Sequence, residues 1–156
     1  GVGTARQFPA AARYGSTGKA IFAFGSTNKA NLVSNTGVVS ADVDGVGSSK
    51  EYLAGAGYGG DKAIMGFGVT SGLTNVTNLI NNLGVVGADV TGVGLARNIL
   101  AAASYGGDKA IFGYGAASGK VSLTNLVSNS GVVASDVSGV GTARSGLVAG
   151  EFSTSA

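Results

Sequence analysis

The eleven residues YGGDKAIMGFG begin at Tyr58 and return as YGGDKAIFGYG at Tyr105, 105 − 58 = 47 residues later; a looser copy, YGSTGKAIFAFG, begins at Tyr14. Other landmarks keep the same step. GVV starts at Gly37, Gly84 and Gly131 (84 − 37 = 47 and 131 − 84 = 47), and Asn31, Asn78 and Asn125 recur with it, as do Asp42, Asp89 and Asp136. The triplet GVG leads to a basic residue four times, at Arg6, Lys50, Arg97 and Arg144, and eight residues beyond each stands an aromatic: Tyr14, Tyr58, Tyr105 and Phe152. The chain is therefore one repeat domain over 1–156, with units of approximately 1–44, 45–91 and 92–138 and an extra first-strand copy over 139–156. A unit of this kind cannot bury its apolar faces alone and must stack on its neighbours.

Each unit reads as four short strands. NILAAASY runs into Gly106-Gly107-Asp108 and then KAIFGYG, and paired glycines supply the positive backbone dihedrals of a tight hairpin. Ala110, Phe112 and Tyr114 alternate with Ile111 and Gly113, the period of a pleated strand. Turns are predicted at Gly59-Gly60, at Gly106-Gly107 and over residues 129–131. Glycine at 29 positions and frequent β-branched residues disfavour helix. The expected fold class is all-β: β-propeller blades, three four-stranded antiparallel repeats of about 47 residues plus the extra first strand. Ala and Gly in LAAAS and LAGAG suit the crowded inner edge of such blades.

Composition removes several functions. Hydrophobic residues reach 44% and mean hydropathy is +0.33, so a solvated disordered chain is excluded. Ten Lys/Arg against eight Asp/Glu, scattered without a run, give +2, too diffuse for a nucleic-acid footprint. No apolar stretch has the length of a membrane span, so neither nucleic acid nor membrane insertion is expected. With no initiator Met and no basic-plus-apolar leader at Gly1, the chain reads as a processed product or a piece of something longer.

The run ARNILAAASYGGDKAIFGYG, starting at Ala96, resembles the first half of a kelch motif: an Arg, a small-residue strand, a turn, and an apolar strand closing on glycine. It also resembles the regulator-of-chromosome-condensation repeat, another strand–turn–strand of similar length. Kelch repeats carry Gly-Gly after the second strand and a later Trp; here that place reads Gly113-Tyr114-Gly115, and the chain has no Trp. The wording YGGDKAIFGYG with NLVSNSGVV and GVGTAR is similar to tandem repeats in structural proteins of marine and cyanobacterial viruses. That resemblance implies a virion or extracellular, tail-fibre-type setting.

Catalytic chemistry finds few residues to use. Without His or Cys, the commonest general base and the thiolate and imidazole metal ligands are missing, and no cofactor is expected. The DVDG stretch over residues 42–45 resembles part of a calcium loop, but its second Asp becomes Thr91 and Ser138 in the other units. YGSTGK lacks P-loop spacing and the helix that must follow. Asn75-Val76-Thr77 is a glycosylation sequon. Asp42, Asp89 and Asp136 each precede a basic residue by eight (Lys50, Arg97 and Arg144), which suggests repeated structural ion pairs between strand ends. Tyr14, Tyr58 and Tyr105 sit beside the hairpin turns, where a ring can stack on a sugar or cover the sheet edge.

These readings converge on a non-enzymatic structural or binding module whose loops recognise a surface receptor, either glycan or protein. A carbohydrate-binding lectin is the first alternative and a propeller-type glycosidase fragment the second, with Glu51 and Glu151 as the acids that break the repeat. Three blades are too few to close a propeller, so the expected partner is a second chain completing a six-bladed ring, or the rest of a larger propeller. The C-terminal first-strand copy is expected in register, with the Pro9-bearing N-terminal copy at an edge.

Overall fold

The computed structural model describes residues 2–151, and every regular element among them is a strand. In chain order these are β1 (Ala10–Tyr14), β2 (Lys19–Ala23), β3 (Lys29–Val33), β4 (Val43–Asp44), β5 (Ala54–Tyr58), β6 (Lys62–Gly66), β7 (Thr77–Ile80), β8 (Val86–Val90), β9 (Ala101–Tyr105), β10 (Lys109–Gly113) and β11 (Thr124–Val127). They form three antiparallel meanders: β1-β2-β3-β4, β5-β6-β7-β8 and β9-β10-β11. The predicted hairpins are present. Tyr58 pairs with Lys62 and Tyr105 with Lys109, and the glycines between them take φ of 61° and 78° in one case, 60° and 81° in the other.

The sheets pack face to face. Ala10, Ala12, Tyr14, Ile21 and Ala23 of the first sheet meet Leu53, Ala63, Met65, Ile80 and Val86 of the second. The opposite face of the second sheet, with Ala54, Ala56, Tyr58 and Ile64, meets Leu100, Ala110, Phe112 and Val127 of the third. Alternation along each strand thus serves two interfaces: Ala63 and Met65 face one neighbour and Ile64 the other. Small residues let the first strands approach closely. A side chain on Gly55 would lie 3.1 Å from the Ala11 carbonyl, and one on Gly57 would lie 3.3 Å from that of Arg13.

The fourth strands depart from expectation. In the third unit, the fourth segment makes only isolated bridges, Val127 to Val133 and Thr124 to Val137, and β4 spans just two residues. A buried asparagine at the middle of each third strand contacts the fourth segment, including in the second unit, where β8 is a full five-residue strand. Asn31, Asn78 and Asn125 donate their side-chain amides to the carbonyls of Ser40 (3.1 Å), Gly87 (3.0 Å) and Ala134 (3.0 Å). A side chain occupies the ladder position a backbone N–H would have taken, and the register of β7 against β8 shifts between Asn78 and Ile80.

The second strands end in a corner where two consecutive residues have positive φ. The pairs are Phe24-Gly25 (65° and 84°), Phe67-Gly68 (63° and 97°) and Tyr114-Gly115 (62° and 108°). The corner receives the segment entering the next unit: Gly25, Gly68 and Gly115 donate to the carbonyls of Lys50 (2.8 Å), Arg97 (2.8 Å) and Arg144 (3.0 Å). The two first-segment copies differ: the N-terminal one forms β1, whereas the C-terminal one, expected in register, forms no strand over its described residues 145–151 and keeps only its entry contacts. Residues 10–14 pair with β2 along their whole length, with Pro9 just ahead of this edge strand, and Arg144 docks as Lys50 and Arg97 do.

A Cβ on Gly115 would sit 2.7 Å from the Asn98 carbonyl, whereas one on Gly107 meets nothing within 4 Å although φ is 81°. Gly107→Ala should cost about 1 kcal/mol, the left-handed penalty alone. Gly115→Ala should cost at least about 3 kcal/mol, because the clash adds to that penalty. Urea unfolding midpoints of the two variants measure the difference.

Candidate functional site

The repeated polar residues are brought together, though not in the predicted pairs. Lys50 reaches Asp89 at 3.1 Å and Arg97 lies 3.8 Å from Asp136, so the ion pairs run forward (89 − 50 = 39 and 136 − 97 = 39) rather than back by eight. The eight-residue spacing misled because Asp42, Asp89 and Asp136 end one unit while Lys50, Arg97 and Arg144 open the next. Each basic side chain returns to the sheet that its own segment begins. Lys50 also donates to Asn78 Oδ1 (2.5 Å), and Arg97 to Asn125 Oδ1 (2.7 Å) and the Tyr114 carbonyl (2.7 Å). Arg6 donates to Asn31 and to the Lys29 carbonyl (2.6 Å), while Asn31 in turn donates to Asp42 (3.0 Å).

The other side of each cation rests on the preceding unit. Lys50 Nζ lies 4.6 Å from the Phe24 ring centre, and the Arg97 and Arg144 guanidinium carbons lie 4.3 and 4.4 Å from those of Phe67 and Tyr114. Arg144 makes no ion pair among the described residues; it donates to the Tyr114 hydroxyl (3.0 Å). Burial lowers the pKa of Lys50, with Asp89 opposing that shift. It also lowers that of Arg97, with Asp136 opposing. Burial acts to raise the Asp89 pKa, but hydrogen bonds from Ser48, Asn78 and Lys50 outweigh it and hold the carboxyl far below the usual range. Asp42 is lowered by Thr4, against burial, with Asn31 assisting.

Tyr14, Tyr58 and Tyr105 also converge, lining one cleft of about 190 Å³ at the hairpin ends of β1, β5 and β9. Their exposures differ for a structural reason. Tyr14 (3% exposed) lies under Gly84 and Tyr58 (4%) under Gly131, each the turn glycine of the following unit, whereas Tyr105 is 39% exposed. Burial raises the pKa of Tyr14 and Tyr58. Arg13, Lys62, Ser104 and Glu151 complete the polar lining. Sequence reasoning singled out the tyrosines but missed Arg13 and Ser104. The available signal was their place immediately before each aromatic, where an otherwise regular repeat changes residue type.

The remaining motifs have structural partners. Asp44 of DVDG pairs with Lys29 at 2.8 Å, and Asp61 and Asp108 pair with the adjacent Lys62 and Lys109 at 2.8 and 3.0 Å. The sequon's Asn75 donates to the Gly94 carbonyl at 2.7 Å. Glu51 accepts from Ser26 at 2.5 Å and does not line the cleft that Glu151 borders. Among the described residues, no three His, Cys, Asp or Glu side chains cluster as metal ligands, and no helix is long and apolar enough to cross a membrane. Phe152, fourth of the repeated aromatics, lies outside the described residues. No protein-family model matches the chain, and a search of curated proteins found no match.

Asp89→Asn leaves the buried Lys50 charge without a carboxylate and should cost about 3 kcal/mol. The depressed Asp89 pKa gives stability that is present above the unfolded carboxylate value, about 3.9, and is lost as pH falls below it toward the folded value. The variant should therefore show a flatter acid limb. Thermal unfolding across a pH series measures both the loss at neutrality and the slope.

Proposed function

We propose that the chain is a non-enzymatic, β-propeller-type structural and binding module, presenting its turns and the tyrosine-lined cleft for recognition of a surface receptor. The supporting observation is a division of labour among polar residues. Those that repeat, including Lys50, Arg97, Asn78, Asn125, Asp89 and Asp136, hydrogen-bond or pair with one another in and beside the sheets. Those that vary between units, including Arg13, Ser104 and Glu151, open onto the cleft. A rigid repeated body with variable residues at one end suits recognition better than turnover.

The virion or tail-fibre-type setting is supported by the similarity of the repeat wording to viral structural proteins. A lectin is the form of receptor binding that the cleft favours, since Tyr105 offers a partly exposed ring beside polar groups. Panels of immobilised glycans and host-surface proteins test the module. Specific, saturable capture is expected without turnover of any bound sugar; hydrolysis of a captured glycan would replace this reading with the glycosidase.

Assembly follows from the two outer faces. Phe22 is exposed although its repeat equivalents Met65 and Phe112 are fully buried, and Leu126 is exposed where its equivalents Leu32 and Leu79 pack against the cores. Such faces call for a further blade of the same kind, from a second chain or from continuation of the repeat. Light scattering on the 156-residue chain should give a mass above 15.0 kDa. A stable, well-folded monomer at micromolar concentration would rule out the ring of two.

A further inference from the structure

We propose that the cleft holds a single acidic sugar residue whose carboxylate is received by Arg13. The proposal rests on the binding-module reading above and names its ligand class.

Four segments reach the cleft with the same repeat position: Arg13, Gly57, Ser104 and Glu151. The steps between them are 57 − 13 = 44, 104 − 57 = 47 and 151 − 104 = 47. The residues just before are Ala12, Ala56, Ala103 and Gly150, and those just after are Tyr14, Tyr58, Tyr105 and Phe152. Between two nearly constant positions the chain thus places a cation, a hydrogen, a hydroxyl and an anion. Packing explains the constant neighbours; Ala12, Ala56, Tyr14 and Tyr58 are core residues. It does not call for Arg13, which is exposed and makes no hydrogen bond or ion pair among the described residues.

The other groups fit a small hydroxylated ring. Tyr14 and Tyr58 have buried rings, yet their hydroxyls find no hydrogen-bond partner among the described residues. Among the described residues no buried side-chain polar atom is left unpartnered, so both hydroxyls reach the surface, and the cleft is the surface that both residues line. They and the exposed part of Tyr105 supply donors and a ring edge or face for a sugar. Glu151, which also lines the cleft, can accept hydrogen bonds from sugar hydroxyls. Lys62 is engaged by Asp61 at 2.8 Å, which leaves Arg13 as the carboxylate's fork-shaped partner. The volume, about 190 Å³, lies below the roughly 300–1,000 Å³ of drug-sized sites and suits one ring rather than an extended chain. Ser104 Oγ donates to the Gly57 carbonyl at 3.0 Å across the two sheets, and a Cβ on Gly57 would stand 3.2 Å from that Oγ, so glycine lets the two strands approach beside the cleft.

Glucuronic acid and glucose, which differ by the carboxylate, are the probes. Each is titrated into the isotopically labelled full chain while the amide resonances are followed. Glucuronic acid should give saturable shifts at Arg13, Gly57, Gly106 and Gly107, with affinity about tenfold or more above that of glucose. Arg13→Gln should abolish that preference while leaving resonances remote from the cleft unchanged, and Arg13→Lys should restore it in part. Equal affinity for the two sugars, undiminished glucuronic acid binding by Arg13→Gln, shifts mapping elsewhere, or no binding would overturn the proposal. Receptor capture that survives Arg13→Gln would sink the acidic-sugar site alone and leave the binding module standing.

Discussion

A cation held between two sheets is the contact on which the repeat depends. Lys50 and Arg97 are fully buried, each with an Asn acceptor and an Asp ion-pair partner from its own sheet on one side and an aromatic ring of the preceding unit on the other. Burying a charge costs several kcal/mol unless it is paired and hydrogen-bonded, so every residue of the cluster is constrained at once. The Asn must sit in mid-strand and the Asp must follow on the fourth segment. The ring must occupy a left-handed corner that points it beneath the incoming cation. One recurring electrostatic requirement thereby accounts for positions that hydrophobic patterning leaves unexplained.

The same requirement shapes the backbone around it. Phe24, Phe67 and Tyr114 adopt positive φ, a conformation that costs an ordinary residue of order 1–3 kcal/mol. The next glycine also has positive φ, and its N–H bonds the carbonyl of the basic residue, so corner, ring and cation are fixed together. The Asn amides interrupt the third-to-fourth-strand ladders for a similar reason: the side chain that receives the cation's hydrogen bond also donates to the fourth segment. Each sheet thereby carries a polar centre between its third and fourth segments. The outer part of the sheet can accommodate it, whereas the small-residue first strands, pressed against one another, remain regular.

The positions that vary between units are set apart from this scaffold. The cleft lies at the turn ends of β1, β5 and β9, and its walls come from three units and the segment after the third. Stacking brings equivalent positions side by side, so changing one residue per unit changes a contiguous surface without touching the core. Arg13, Gly57, Ser104 and Glu151 illustrate that arrangement. Tyr14, Tyr58 and Tyr105 show how strongly context decides the role of a repeated residue. Two are roofed by the next unit's turn glycine and one is open.

Strand class, repeat length, hairpin turns and the crowding of small residues in the first strands were legible in the sequence because they follow from local rules. Ala110, Ile111 and Phe112 alternate because neighbouring faces must be apolar, and Gly106-Gly107 turn because few other pairs accept two positive φ values. The repeat also marked Lys50, Arg97, Asp89 and Asp136 as a set, but spacing alone paired them backwards across a unit boundary. Only the tertiary structure carried each cation forward to its own sheet, since the choice depends on which strands close around it rather than on distance along the chain. It likewise decided that Arg13, Ser104 and Glu151 share a cleft, because stacking converts a step of 44 or 47 residues into spatial adjacency that no local pattern encodes.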